Sequence, residues 1–572
     1  MDADREDKLL RVNMTALSVK DEPFPAAWRT LGGRALCAKV LAAEVDPTCD
    51  PLSAEAKLVL APGFLSGTMA PTSGRLSVGA KSPLTGRIKE ANSGGQAGQH
   101  LMRLGYRAVI VEGKPAGAGK AWLLEIDGEG ARLKDASYLK GQRNYPAAEA
   151  LWARYDKRAS FILAGPAGEL GLKNSTVALT DMDHRYPTRH AARGGMGAVM
   201  ASKGLKAVAI DAGKSHFRKA AREEDFKALF HSFAEEYRAG KQPMKNGTAA
   251  VVPVANMMST LPTRNRRMMQ FDGHAGLDGA KILENYKTRG GKQHGCMTGC
   301  IVQCSNIIND PDGHYITAAL EFETLSLLGS NCEIGELEQV ARLDRLCDDL
   351  GLDTIEAGGA LAVAMDAGAL PFGDAAAALR LLGEQLDTPL GRAIGDGVVA
   401  TCAHFGIADR IPAVGGQGIP AWEPRSLPAT AITYATSPMG ADHTAGLVIR
   451  TKNPNLAQAS QFSQVVNMVC DSSGFCQFQV PRLEDIRQFM NALFGVELDG
   501  EGVYRYGFDA LRDEWEFNRR AGFSQADNDL PAWMRSEPVP SNNKVYQATA
   551  DLLAQVYVPQ YDESILKMRA SG

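Results

Sequence analysis

The stretch Gly63-Phe-Leu-Ser-Gly-Thr-Met-Ala-Pro-Thr-Ser-Gly-Arg75 is crowded with glycine, serine and threonine around a proline, which is loop chemistry. It directly follows a short strand-like run at 57–60, and similar runs occur at 9–12, 108–112 and 207–210. Gly, Pro and Ser punctuate all of them, so residues 1 to about 212 read as a β-rich lobe with a few helices. After Asp211 the texture changes. Residues 217–240 are charged with a helical period, and residues 334–410 are rich in Ala and Leu. There Val340, Leu343, Cys347 and Leu350 line one helical face, and Gly351 follows as a stop signal. The last third mixes helices with Gly/Pro loops. No internal repeat and no low-complexity linker separates these parts.

The 572 residues suggest several domains or one large lobed body. Lys+Arg number 62 against 66 Asp+Glu, for a net charge of -4. That balance argues against a basic nucleic-acid binder and against an acidic disordered chain. Glycine is in excess, 59 residues in short clusters, which suggests backbone held close to a ligand. The first residues show no apolar leader, and no run is long enough to span a membrane, so a cytoplasmic location is expected. Ten cysteines in such a chain call for a metal or redox explanation.

Three of them are close together in Cys296-Met-Thr-Gly-Cys300-Ile-Val-Gln-Cys304, and Cys476 is a remote fourth. Three clustered cysteines and one distant one suit a [4Fe–4S] cluster. On a regular helix, positions i, i+4 and i+8 would be spread over about 12 Å, too far to converge. The segment must therefore turn, and Gly295 and Gly299 permit it. Zinc with His294 as a ligand, or inert buried thiols, are the alternatives. Cys37, Cys49, Cys347, Cys402 and Cys470 read as buried, while Cys332 stays open.

Three glycine-rich loops, 70–75, 91–95 and 192–197, offer backbone N–H groups to an anion. The last opens a short helix over 198–202. Arg185, Arg189 and Arg193 suit phosphate oxygens. Neither dinucleotide nor P-loop spacing is met. Each loop alone could be a turn without a ligand; together they suggest an elongated anionic cofactor.

These segments resemble the aldehyde:ferredoxin oxidoreductases. The opening stretch, Ala80-Lys-Ser-Pro-Leu-Thr-Gly86, Ala91-Asn-Ser-Gly-Gly95, Ala192-Arg-Gly-Gly-Met-Gly-Ala-Val-Met-Ala-Ser-Lys203, Asp348-Asp-Leu-Gly-Leu-Asp353 and Asp471-Ser-Ser-Gly-Phe-Cys476 appear in family order from about residue 8 to about 535. The resemblance implies an α+β chain: a β-rich saddle over 1–212, then mostly helical domains over 213–405 and 406–572. It implies tungsten or molybdenum on two pterin dithiolenes beside one [4Fe–4S] cluster. Arg75 would sit between cluster and pterin. Asn92, Gly94, Gly95, Arg193 and Gly194 would line the pterin phosphates and their Mg2+. Asp348 and Asp353 would bond one pterin and Asp471 the other. Cys296, Cys300, Cys304 and Cys476 would ligate the cluster. The first cysteine spacing is C-x3-C here, where the best-known members have C-x2-C, so the choice of metal stays open. Asp353 with Glu356 three residues on also reads as a helix N-cap pair.

Glu321-Phe-Glu323 is an acidic pair in an apolar setting, and in a strand both carboxylates would share a face. His443 lies in the glycine-containing run Ser437-Pro-Met-Gly-Ala-Asp-His443. The family's catalytic Glu and His match these positions, with Glu323 preferred over Glu321 by its spacing to Asp348. A carboxylate can take a proton from water, and an imidazole can donate to a carbonyl oxygen. The expected activity is oxidation of aldehydes to acids, or the reverse. Electrons would pass to ferredoxin or a small Fe–S protein, since no nicotinamide or flavin motif is visible. A homo-oligomer is compatible with this. The rivals are an aryl-CoA reductase-type subunit, in which Cys332 could ligate the metal, and a non-catalytic Fe–S electron-transfer subunit without pterin.

Overall fold

The computed structural model describes residues 6–117, 119–240, 244 and 246–571. Residues 1–5, on which the leader reading partly rests, lie outside the described residues. The class is α+β. Twelve strands of the first 210 residues form two six-stranded sheets. The first uses β1 (Lys8–Asn13), β2 (Ser18–Pro23), β3 (Leu58–Pro62), β4 (Leu76–Lys81), β5 (Ile88–Ser93) and β6 (Tyr106–Glu112), in the order β2-β1-β6-β3-β4-β5. The second uses β7 (Trp122–Asp127), β8 (Gly130–Asp135), β9 (Ser160–Ala164), β10 (Val177–Leu179), β11 (Arg189–Ala191) and β12 (Leu205–Ile210), in the order β11-β10-β9-β12-β7-β8. One pair in each sheet is parallel, β1 with β6 and β12 with β7; the others are antiparallel.

The two-residue period of the strands explains their stacking. Leu10 and Val12 of β1 share one apolar core with Val208 and Ile210 of β12, whereas Leu9, Ala207 and Ala209 face other clusters. Helix Gly33–Glu44 covers the outer face of the first sheet through Leu36, Val40 and Leu41. Helix Asn144–Trp152 covers that of the second.

The rest of the described chain is mostly helical. Helices Leu337–Leu350 and Thr354–Asp366 centre one core, and Leu456–Ser473, Leu483–Phe494 and Gly500–Arg520 another. The expected face of Val340, Leu343, Cys347 and Leu350 is buried, and Gly351 ends that helix at φ 77°. The helical part meets the first sheet at its loops. A Cβ on Gly63 would lie 2.1 Å from the backbone of Gly474, so only glycine permits this contact. No helix among the described residues is long and apolar enough to cross a membrane.

Candidate functional site

The three clustered cysteines occupy the loop of a β-hairpin. Lys292–His294 pairs antiparallel with Ser305–Asn309, and residues 295–304 turn between them, with Gly299 at φ 75°. The segment therefore turns as its spacing required. Thr72, in the loop between β3 and β4, joins this hairpin to the distant cysteine. Its N–H donates to Gly299 O at 3.0 Å, its hydroxyl accepts from Ile301 N at 3.1 Å, and its carbonyl accepts from Cys476 N at 3.0 Å. On the other side Gly95 N donates to Cys296 O at 3.1 Å, and a Cβ on Gly94 would stand 3.0 Å from Cys296 Sγ.

The four sulfurs are not drawn together as they would be on one zinc. Thiolates on one zinc, at about 2.3 Å from it, lie about 3.8 Å apart. No three of these sulfurs lie mutually within 4.8 Å; His294 Nε2 is engaged by both oxygens of Asp181 at 3.0 Å, and its Nδ1 is buried without a partner. The wider spread suits a larger inorganic core. The Cys300 thiol, together with Arg189 and Arg75, holds Cys296 below the usual thiol range. Burial pushes Cys304 and Cys476 up. Two guanidinium groups thus flank a site that would carry thiolates.

Arg75 extends from Cys476 toward β5. Its Nη1 lies 3.9 Å from Cys476 Sγ, its Nε donates to Asn92 Oδ1, and its Nη2 donates to Asn92 O at 3.0 Å. Asp471, one turn before Cys476, accepts from Gln477 Nε2 at 3.1 Å and faces Arg34 Nη1 at 3.9 Å. Arg34 also forks onto Glu514 at 3.0 and 2.7 Å. Burial pushes the carboxyls of Asp471 and Glu90 up. Arg34 Nη1, Glu90 Oε1 and Ser93 Oγ are buried without a hydrogen-bond partner.

The expected arginine cluster is not formed. Arg185 packs over the Trp152 ring, and Arg189 binds Asp181 at 2.6 Å and the Ser305 hydroxyl. Arg193 donates to Ala441 O at 2.7 Å and Gly418 O at 2.6 Å, and pairs with Asp353 and Glu356 at 3.3 Å each. Its side chain is thus occupied by protein groups, and Gly194 O accepts from the Ser82 hydroxyl at 2.7 Å. Asp353 is the N-cap of helix Thr354–Asp366, accepting from Ile355 N at 3.0 Å, so the cap reading holds. Glu356 does not close the box; it accepts from Val398 N at 3.1 Å and from Gly418 N. Asp348 pairs through Oδ1 with His190 Nε2 at 3.1 Å, while its buried Oδ2 has no partner.

The Glu321/Glu323 reading needs correction. Residues Phe322–Thr324 form a helical turn that runs into a π-helical turn, Leu325–Gly329, so the segment is not a strand and the carboxylates do not share a face. Glu321 Oε2 accepts from the Thr248 hydroxyl at 2.5 Å. Glu323, 9% exposed, accepts from Ala421 N at 2.7 Å through Oε2, and its Oε1 lies 3.8 Å from His443 Nδ1. Both Glu323 Oε1 and His443 Nδ1 are buried without a hydrogen-bond partner.

Asp442 sets His443. Its Oδ1 accepts from Thr444 N at 3.0 Å and from the Thr444 hydroxyl at 2.8 Å, capping the turn His443–Ala445. Its Oδ2 pairs with Lys89 of β5. Against the burial that would raise it, Lys89 and Arg193 hold the Asp442 carboxyl well below the usual range. Sequence reasoning missed Lys89, Asp442 and Thr72; only the adjacency of Asp442 to His443 hinted at any of them. Cys332 lies apart from the cysteine hairpin. Its thiol is buried among helices and lies 3.4 Å from Leu327 O and 3.5 Å from Gly358 O, and burial alone raises it.

The family model for the aldehyde ferredoxin oxidoreductase N-terminal domain matches residues 9–212, and that for domains 2 and 3 matches residues 227–561. A tungsten-containing aldehyde ferredoxin oxidoreductase of Pyrococcus furiosus is 30% identical over 575 residues, covering 93% of this chain and 92% of the relative. The enzyme of the same description from Thermococcus kodakarensis is also 30% identical, with the same coverage. The WOR-like subunit of an aliphatic sulfonate oxidoreductase of Pyrococcus furiosus is 27% identical over 86% of this chain and 82% of that one. The active-site complex BamBC of benzoyl coenzyme A reductase, solved with 1,5-dienoyl-CoA, shares the fold at a TM-score of 0.78 and 20% identity, covering 96% of this chain and 92% of that one. The chain is an oxidoreductase and belongs to the aldehyde ferredoxin oxidoreductase family.

Proposed function

We propose that this oxidoreductase converts aldehydes to carboxylic acids, or runs the reverse reaction, using tungsten or molybdenum on two pterins and one [4Fe–4S] cluster. The observation that carries the reading is the buried pair of Glu323 Oε1 and His443 Nδ1, 3.8 Å apart and both without a hydrogen-bond partner. Buried polar atoms are normally satisfied, so such a pair implies a partner supplied by substrate or water.

The surrounding residues fit the cofactors. Four cysteines, no three of whose sulfurs gather mutually within 4.8 Å, suit a cluster. The unpartnered Asp348 Oδ2 and Glu90 Oε1 are acceptors for the N–H groups of a pterin. Asp348 would hold one pterin and Asp471 the other, and Asp353 would act chiefly by fixing Arg193. Asn92, with the Gly94–Gly95 and Arg193–Gly194 backbone, would line the phosphates and Mg2+. The pterin-held metal and the cluster would supply two-electron and one-electron redox capacity respectively.

The oxidation turns aldehyde and water into acid, two protons and two electrons. Glu323 takes a water proton at Oε1, because Oε2 is already held by Ala421 N–H. His443 donates from Nδ1 to the carbonyl oxygen as charge develops there. Asp442 and Lys89 hold the imidazole in place. The acceptor is ferredoxin or a small Fe–S protein. Purified protein should contain about one tungsten or molybdenum and about two pterins per chain and oxidise aldehydes with a one-electron dye. Iron without pterin would overturn the reading.

A further inference from the structure

Tyr237 is the last-turn residue of helix Glu223–Ala239 and belongs to no motif that carries the family reading. It lies in one small apolar cluster with Val302 and Cys304, against which Cys300 and Phe478 pack. Its ring borders a cavity of about 410 Å³ that opens to solvent. The residue is nonetheless only 8% exposed, and its hydroxyl oxygen is closed to solvent and has no hydrogen-bond partner. Leaving a buried hydroxyl unpaired is costly, so its partner is expected to be a group absent from the bare chain.

We propose that Tyr237 donates its hydroxyl hydrogen bond to a sulfur of the [4Fe–4S] cluster and so raises the cluster's reduction potential. The inference rests on the cluster reading above. Reduction adds negative charge to the cluster, and a donor pointed at sulfur stabilises the reduced form more than the oxidised one. Tyr237 is a positioning residue for electron transfer, not a catalytic one.

One competing partner is visible. Gln479, 1% exposed on the same cavity wall, has both amide atoms buried and unpartnered, so a water could join it to Tyr237. Tyr237→Phe removes the hydroxyl and keeps the ring, while Gln479→Leu removes the amide and keeps the hydroxyl. Iron content and an EPR-monitored redox titration should be measured on the holoenzyme and on both variants. The expected result is full iron in all three. Tyr237→Phe should shift the oxidised-to-reduced ratio at fixed potential about tenfold, a fall of about 59 mV for a one-electron couple. An exchangeable-proton coupling in the reduced-state spectrum should vanish with it, and Gln479→Leu should change neither quantity. A Tyr237→Phe cluster with unchanged potential and unchanged proton coupling overturns the proposal. So do equal shifts in the two variants, which would make the donor a shared water. If the unmodified protein holds no cluster, the cluster reading itself fails, which is a different result.

Discussion

The cysteine wall and the Glu323–His443 pocket are built by opposite means. The wall is a local hairpin loop clasped by backbone hydrogen bonds through Thr72 and Gly95. The pocket is assembled from segments far apart in the chain, and its aim depends on buried charge: Lys89 against Asp442, and Arg193 against Asp353 and Glu356. Backbone bonds survive most side-chain changes. A buried ion pair does not, because losing one partner strands the other charge in a low dielectric. The wall should therefore tolerate substitution away from its cysteines and from the glycines that turn and pack it, and the pocket should be brittle well beyond the residues that face substrate.

The largest expected effect tests the wall at one of its cysteines. Cys476→Ala should lose iron or clearly change the reduced-state EPR spectrum. Full iron with an unaltered spectrum would remove Cys476 from the ligand set.

Next come the two facing groups of the pocket. Glu323→Gln and His443→Ala should each keep metal, pterin and iron while turnover of aldehyde falls about 10²–10⁴-fold. Glu321→Gln, whose carboxylate faces Thr248 instead, should stay within a few-fold of the parent rate. If Glu321→Gln is dead and Glu323→Gln active, the two roles are exchanged.

Lys89→Met probes brittleness away from substrate. It strands the Asp442 carboxylate and should cost about 3–5 kcal/mol, read as a lower Tm. The pH dependence gives a second readout. In the parent, the depressed Asp442 carboxyl contributes stability that is present above its unfolded range, near pH 4, and is lost as pH falls toward its much lower folded value. In Lys89→Met that acid-side loss should flatten. A variant with parental Tm and parental acid profile would show that the pocket is as tolerant as the wall.

The smallest effect is expected at Thr72→Ala. It leaves the two backbone bonds and orphans only Ile301 N–H, for about 1–3 kcal/mol, with iron retained. Loss of iron there would erase the contrast between the two regions.

Much of the frame was legible because its signals are local. Strand runs at 57–60, 108–112 and 207–210 carry their period within a few residues, and each falls in or against a strand. The helix ending at Gly351 announces itself by four spaced apolar residues and a stop. The hairpin turn through Cys296–Cys304 followed from the reach of a thiol. The pair Glu321/Glu323 was misread because three residues cannot distinguish a period of 2 from one of 3.6, and the π-helical turn that follows has no sequence signature. The arginines near 189 looked like a phosphate site because spacing shows proximity along the chain and not which carboxylates a guanidinium will find.

By itself, the sequence determined the α+β class and supplied the candidate cysteines, Glu and His, since periodicity, spacing and long ordered motifs are written within single segments. Only the tertiary structure decided which carboxylate meets His443, that Arg193 turns inward to Asp353 and Glu356, and that Lys89 steadies Asp442 across 353 residues of chain. The physical reason is that a buried charge takes whichever opposite charge the packed core brings within reach, and no local pattern encodes that choice.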